Sequence, residues 1–221
     1  MHGDEFTARR QAMVAQQIAA RGIDDAAVLE AMRTVPREAF VAADLRERAY
    51  DDTPWPIEQG QTISQPYIVA LMLEAAAIGP GDRVLELGAG SGYACAGASR
   101  VARRVDAVER HATLADSARE RLARLGYANV AVHCADGSGG WPEGAPFDAI
   151  LVAAGGPRVP EALREQLAAG GRLVMPVGAS SYDQRLVKIT RQGERDFREA
   201  DLGGVSFVPL IGAHGWAAAD G

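Results

Sequence analysis

The sequence predicts an α/β fold: a doubly wound, mostly parallel sheet that finishes in an antiparallel hairpin, with helices added at the N-terminus. Three observations predict it. Short apolar runs of strand length alternate with helical patterns between Gly81 and Pro176. Glycines at 88, 90 and 92 follow the first of those runs. After Pro176 the helical patterns stop, and 185–190 and 204–210 read as strands joined through the charged stretch 191–198.

The elements follow in order. A helix is expected over 4–21, with Asp4 placed to cap it and Gly22 to end it. A second runs from Asp24 and Asp25 to about Arg33 and is closed by Pro36. Between Tyr50 and Gly60, the residues Pro54, Trp55, Pro56 and Gly60 indicate an ordered loop. A third helix starts near Ser64-Gln65-Pro66, with Ile68, Leu71, Met72 and Ala75 on one apolar face. Parallel strands are expected at 83–87, 105–108, 130–134, 149–153 and 172–176, and helices at 93–100, 112–125 and 160–167. The chain reads as one domain: a helical addition and loop at 1–60, a cofactor-binding core at 61–178, and C-terminal strands at 179–221.

Composition excludes several classes. The 221 residues are 48% hydrophobic and 24% charged, enough for a full core. Net charge is −6 and no basic run occurs, which argues against nucleic acid as the partner. No apolar stretch approaches the roughly 20 residues that cross a bilayer, and the acidic start does not fit a secretory signal. The two cysteines, Cys95 and Cys134, form no CxxC pair and read as small buried hydrophobes in a reducing compartment. A monomer in the cytoplasm is expected. The four histidines (2, 111, 133 and 214) lack metal-ligand spacing, read as surface or packing residues, and no metal is expected.

The sharpest signal is Val84-Leu85-Glu86-Leu87-Gly88-Ala89-Gly90-Ser91-Gly92-Tyr93. A buried strand turns through glycines into a helix, at the sheet edge where doubly wound folds bind ligands. Dinucleotides favour GxGxxG, but Tyr93 stands where the third glycine would be. Glu86 inside the strand is a poor neighbour for a pyrophosphate and suits an ammonium. The loop Gly88-Ala89-Gly90 therefore favours S-adenosylmethionine over NAD, and a methyltransferase-type sheet; the bland alternative is a tight turn without a ligand. Glu109, at the end of the next strand, can accept from both ribose hydroxyls or be a solvated carboxylate. Asp136 can meet the adenine amino group, or simply open the Asp136-Gly137 turn.

Outside that core stand 35–41 (VPREAFV), 60–66 (GQTISQP), Asp136-Gly137, Phe147-Asp148-Ala149-Ile150, 170–178 (GGRLVMPVG) and Phe207-Val208-Pro209-Leu210. In this order they resemble the protein-L-isoaspartate O-methyltransferase family over about residues 10–216. The resemblance implies methyl transfer to the α-carboxylate of isoaspartyl residues in damaged proteins and peptides. S-adenosyl-L-homocysteine is the product, and the ester closes to a succinimide. It assigns Ser64 to the active site, Thr62 and Ile63 beside it at the cofactor, and Gly88, Gly90, Glu109 and Asp136 to cofactor binding. The substrate grip is expected from Ser64, Gln65, Ala153, Ala154, Val208 and Pro209. Gly155 and Gly156 depart from the run that many relatives carry, beside the expected cleft, and Ala135 stands where many have glycine.

A carboxylate is already anionic at pH 7, so no general base is needed. Ser64 has two compatible readings, helix N-cap and positioner of the substrate carboxylate. The alternatives for the whole chain are methylation of a normal aspartyl or another carboxylate, and a module that binds S-adenosylmethionine without turnover.

Overall fold

The protein is described by a computed structural model over residues 2–180 and 183–217, with side chains from Asp4 onward; the side chain of His2 falls outside it. Helix α1 (His2–Met13) continues through a wider turn at Val14–Ile18 and a tighter one at Ala19–Arg21. It ends at Gly22 in the left-handed region, φ 95°. Because α1 starts at His2, Asp4 lies in its first turn and does not cap it; its charge there still suits the positive end of the helix. Helix α2 (Ala26–Thr34) is capped as expected by Asp25, whose carboxylate accepts from the N–H groups of Ala27 and Val28.

The 35–41 motif ties this N-terminal layer to the rest. Arg37 is fully buried, its Nε donates to the Ala49 carbonyl at 2.7 Å, and its guanidinium lies 4.7 Å over the Tyr93 ring. Phe40 meets the same ring edge-on at 5.6 Å. Burial lowers the Arg37 pKa from its usual value, while Tyr93 opposes that shift. Met13, Ile18, Val28 and Met32 join one core with Val69, Leu73, Cys95 and Val105.

The 50–60 loop holds a strand, β1 (Trp55–Pro56), paired antiparallel with β2 (Thr62–Ile63). Helix α3 (Pro66–Ala75) follows. Its cap position is Gln65, without a side-chain capping bond, so Ser64 precedes the cap and does not serve as one. Pro66 at N1 removes one of the amides a cap would satisfy.

The main sheet contains β3 (Arg83–Leu87), β4 (Arg104–Glu109), β5 (Val130–Cys134), β6 (Phe147–Val152), β7 (Leu167–Ser180), β8 (Asp183–Arg191) and β9 (Phe197–Val205). Their order is β5-β4-β3-β6-β7-β8-β9. Pairing is parallel from β5 to β7 and antiparallel from β7 to β9. The expected doubly wound sheet with its antiparallel finish is present. Helices α4 (Tyr93–Ser99) and α5 (Ala112–Arg124) share the first core, while α6 (Glu161–Glu165) belongs to a second with Leu85, Leu87, Ile150 and Leu173.

Two expectations are corrected. The last strand is the charged segment Phe197–Val205, not 204–210. An edge strand exposed along most of its length tolerates charges that also deter edge pairing. The apolar run after it leaves the sheet for the ligand edge. Cys134 is exposed at the end of edge strand β5, whereas Cys95 is buried in α4.

Candidate active site

Strand order reverses between β3, which continues to β4, and β6, which continues to β7. Such a switch point leaves a crevice at the carboxyl ends of the strands. A cleft occupies it. Its floor is Glu86 to Ser91, with Val108 to His111 on one side and Ala153 and Ala154 on the other. Gln61 to Ser64 and Val208 to Ile211 complete it.

The glycine loop is built by backbone geometry. Gly88, Gly90 and Gly92 have φ of 89°, 52° and 88°, a region that side chains strain to enter. At Gly92 a Cβ would also stand 3.2 Å from Leu122 Cδ1 of α5. Glu109 then fastens the loop. Its Oε2 accepts from the Gly90 N–H at 3.0 Å and its Oε1 from the His111 N–H at 2.9 Å. One buried carboxylate thus sets the loop relative to the start of α5 and retains a further acceptor site on each oxygen.

Glu86 is the unusual group. It alternates with Leu85 and Leu87, so it points with Val84 toward the α4 core and is 1% exposed. Its Oε2 has no hydrogen-bond partner among the described residues. Burial pushes its carboxyl up to about 8, against a lowering hydrogen bond from Cys95; the charge of Glu109 adds to the rise. The folded carboxyl keeps its proton to about pH 8, while the unfolded one loses it in the ordinary carboxylate range. Folding therefore takes up a proton between those limits, and rising pH costs stability there. Melting of the cofactor-free protein is expected to fall from about pH 5 to about pH 8, and Glu86→Gln to flatten that slope. A wild-type melting temperature constant across the window would contradict it.

A buried acid with an unpartnered oxygen, beside a loop whose glycines at 88 and 90 let a ligand approach the backbone, fits the ammonium end of S-adenosylmethionine. It does not fit a phosphate. The expected residues Thr62, Ile63, Ser64, Glu86, Gly88, Ala89, Gly90, Glu109, Ala153, Ala154, Val208 and Pro209 all line the cleft.

Gln65 and Asp136 do not. Gln65 donates to the Asp52 carbonyl at 3.2 Å and faces a second groove. Asp136 is exposed, and its oxygens accept from the N–H groups of Ser138 and Ala213, both at 2.9 Å. Those bonds outweigh its desolvation and lower its pKa. Ser138 Oγ accepts from the His214 N–H at 3.0 Å, so the two side chains pin the 211–216 segment over the turn. Asp136 thereby shapes the cleft indirectly, through neighbouring Gly137 and Ile211, which line it.

Sequence reasoning assigned His111 to surface or packing. It lines the cleft, and its buried Nε2 has no partner among the described residues. Its place two residues after the strand-end acid was the available signal. The second groove is lined by Pro54, Thr62, Ser64, Gln65, Ile68 and 204–207. Thr62 and Ser64 line both cavities. The Ser64 hydroxyl makes no hydrogen bond among the described residues, and no metal-holding cluster of His, Cys, Asp and Glu occurs among them.

Comparison with known proteins agrees with this geometry. The family model described as protein-L-isoaspartate(D-aspartate) O-methyltransferase matches residues 8–215. The protein-L-isoaspartate O-methyltransferase 1 of Rhodopseudomonas palustris is 59% identical over 96% of this chain and 86% of its own length. The protein-L-isoaspartate O-methyltransferase 2 of Pelobacter propionicus is 59% identical over 94% of this chain and 92% of its own. Among solved structures, a Plasmodium falciparum protein assigned to the same activity and bound to S-adenosyl-L-homocysteine superposes with a TM-score of 0.79. It is 29% identical and covers 91% of this chain and 98% of its own.

Proposed function

The chain belongs to the protein-L-isoaspartate(D-aspartate) O-methyltransferase family, and from that premise we propose how its residues transfer a methyl group to an isoaspartyl α-carboxylate. The observation that carries the reading is the junction at Thr62 and Ser64, where the cofactor cleft opens into the second groove. A donor in one cavity and a peptide in the other can meet only there.

S-adenosylmethionine supplies an electrophilic methyl group on a sulfonium. Glu86 holds the ammonium end, the Gly88-Ala89-Gly90 backbone lets it approach, and Glu109 accepts from the ribose. Thr62 and Ile63 cover the cofactor from the side of β2. His111 borders it beside Glu109, and Asp136 supports that wall by holding 213. On the acceptor side, Ser64 donates its free hydroxyl to the α-carboxylate and orients one oxygen toward the methyl. The carboxylate is anionic at pH 7, so alignment and exclusion of water are the whole task. Gln65 borders the peptide groove together with Gly204 to Phe207, whereas Ala153, Ala154, Val208 and Pro209, expected at the substrate, line the cofactor cleft and meet the acceptor only at its donor end. Protein substrates follow from the family; a cytoplasmic monomer that uses neither nucleic acid nor membrane is part of this proposal. Among the described residues no helix is long and apolar enough to cross a membrane.

Transfer of labelled methyl to an isoaspartyl peptide, with a base-labile ester as product, tests the assignment. Binding of S-adenosylmethionine without transfer to any acceptor would refute it. Because Ser64 caps nothing, Ser64→Ala is expected to leave stability within about 0.5 kcal/mol. Single-turnover rate should fall much more than cofactor affinity. A lowered melting temperature with an unchanged rate would remove Ser64 from the acceptor site.

A further inference from the structure

The wall between the two cavities is a single strip of chain. Val208 to Ile211 face the cofactor cleft, and Gly204 to Phe207 face the groove. The strip lies beyond β9, where the backbone ladder with β8 has ended at the pair Gln184–Val205. Something else must hold it in place.

Gln184 does so. It is 4% exposed, and its carboxamide takes both main-chain groups of Phe207. Oε1 accepts from the Phe207 N–H at 2.7 Å, and Nε2 donates to the Phe207 carbonyl at 3.2 Å. A side chain here replaces the strand that β9 no longer provides. On the far side, Gly155 donates to the Val208 carbonyl and accepts from the Leu210 N–H, each at 2.8 Å. Gln184 and Gly155 thus anchor the middle of the strip, and the Trp216 N–H donates to the Leu210 carbonyl at 2.7 Å further on.

Gly155 and Gln184 are also matched in volume. A Cβ on Gly155 would stand 2.2 Å from Gln184 Nε2, nearer than real Cβ atoms approach any atom. The missing side chain of Gly155 is thus the space into which the carboxamide fits. Neither residue lines either cavity.

We infer that Gln184, fitted against Gly155, is a positioning residue that sets the acceptor register and hence the preference for isoaspartyl over aspartyl peptides. The inference rests on the function proposed above. The carboxylates of the two peptides differ in place by about one methylene along the main chain. Discrimination therefore depends on how firmly the groove wall fixes the peptide backbone. A misplacement of about 1 Å costs roughly 100-fold in rate. A wall relieved of one anchor shifts by part of that and should relax the preference about tenfold.

The test is the ratio of kcat/KM for paired isoaspartyl and aspartyl peptides, measured on the full chain with saturating S-adenosylmethionine. General loss of folded protein lowers both values and leaves the ratio unchanged. Gln184→Leu, which keeps volume and loses both bonds, should lower the ratio about tenfold. Gly155→Ala, which pushes the carboxamide away, should do the same. If Gln184→Leu does not fold, Gln184→Glu replaces it; it keeps the acceptor for the Phe207 N–H and loses only the donor, and carries the same expected direction. A wild-type preference retained in the folded variants would overturn the inference alone. A wild-type chain that methylates neither peptide would overturn the proposed function, and this inference with it.

Discussion

An isoaspartyl peptide is expected to be methylated about 100-fold faster than the same peptide with normal aspartate. The isoaspartyl main chain runs through the side-chain carbons, so its free α-carboxylate hangs from a backbone one methylene longer. A groove that grips the flanking backbone presents that carboxylate at Ser64, and a normal aspartyl carboxylate arrives displaced. The grip surrounds the junction: Thr62 and Ser64 on one wall, Val205 to Phe207 on the other. Initial rates at matched peptide concentrations read the ratio. Equal rates would mean that the groove does not sense the backbone. Methylation of the aspartyl peptide alone would move the enzyme to a different acceptor while leaving the cofactor site intact.

Glu109→Ala is expected to weaken S-adenosylmethionine binding about 10- to 100-fold, since a hydrogen bond to a charged group contributes roughly 1.5–3 kcal/mol. The structure adds a second reason for a loss at the upper end. The same carboxylate holds the Gly90 and His111 amides, so its removal frees the loop as well as the ribose partner. Glu109→Gln separates the two effects. Its amide oxygen can keep one of the backbone amides, so the loss should be smaller. Calorimetric titration of folded variants checks both. Wild-type affinity in Glu109→Ala would take the residue out of the site, and NAD binding in place of S-adenosylmethionine would overturn the reading of the glycine loop.

The cofactor half of the molecule was legible because its signals are local. Apolar runs of five or six residues, a glycine every second position and an acid at a strand end are all visible in a short window. The strands at 83–87 and 130–134 match their expected limits. What escaped depended on distant partners. The strip 204–210 alternates like a strand, yet at Phe207 it is held by a side chain, Gln184, and not by a ladder. The charged connector expected at 191–198 is present at 192–196, but the strand after it begins earlier than expected, at Phe197, because an edge strand needs no apolar face on its open side. Ser64 stands one residue before the cap position, Gln65, whose own side chain donates to the distant Asp52 carbonyl. Asp136 carried two readings, an adenine contact and the start of a turn; its two oxygens hold Ser138 and, 77 positions away, Ala213, a partner that no short window of sequence shows.

That last contact bears on the order in which the protein is made. Chains leave the ribosome from the N-terminus at about 5–20 residues per second. The glycine loop and Glu109 emerge early, but the wall formed by Val208 to Ile211 follows roughly a hundred residues later, some 5–20 s at that rate. Trp216, whose Nε1 donates to the Gly155 carbonyl at 3.0 Å, comes later still. Until then the crevice lacks the wall formed by Val208 to Ile211. The complete cleft is therefore available to a cofactor only once residues 208–216 are in place.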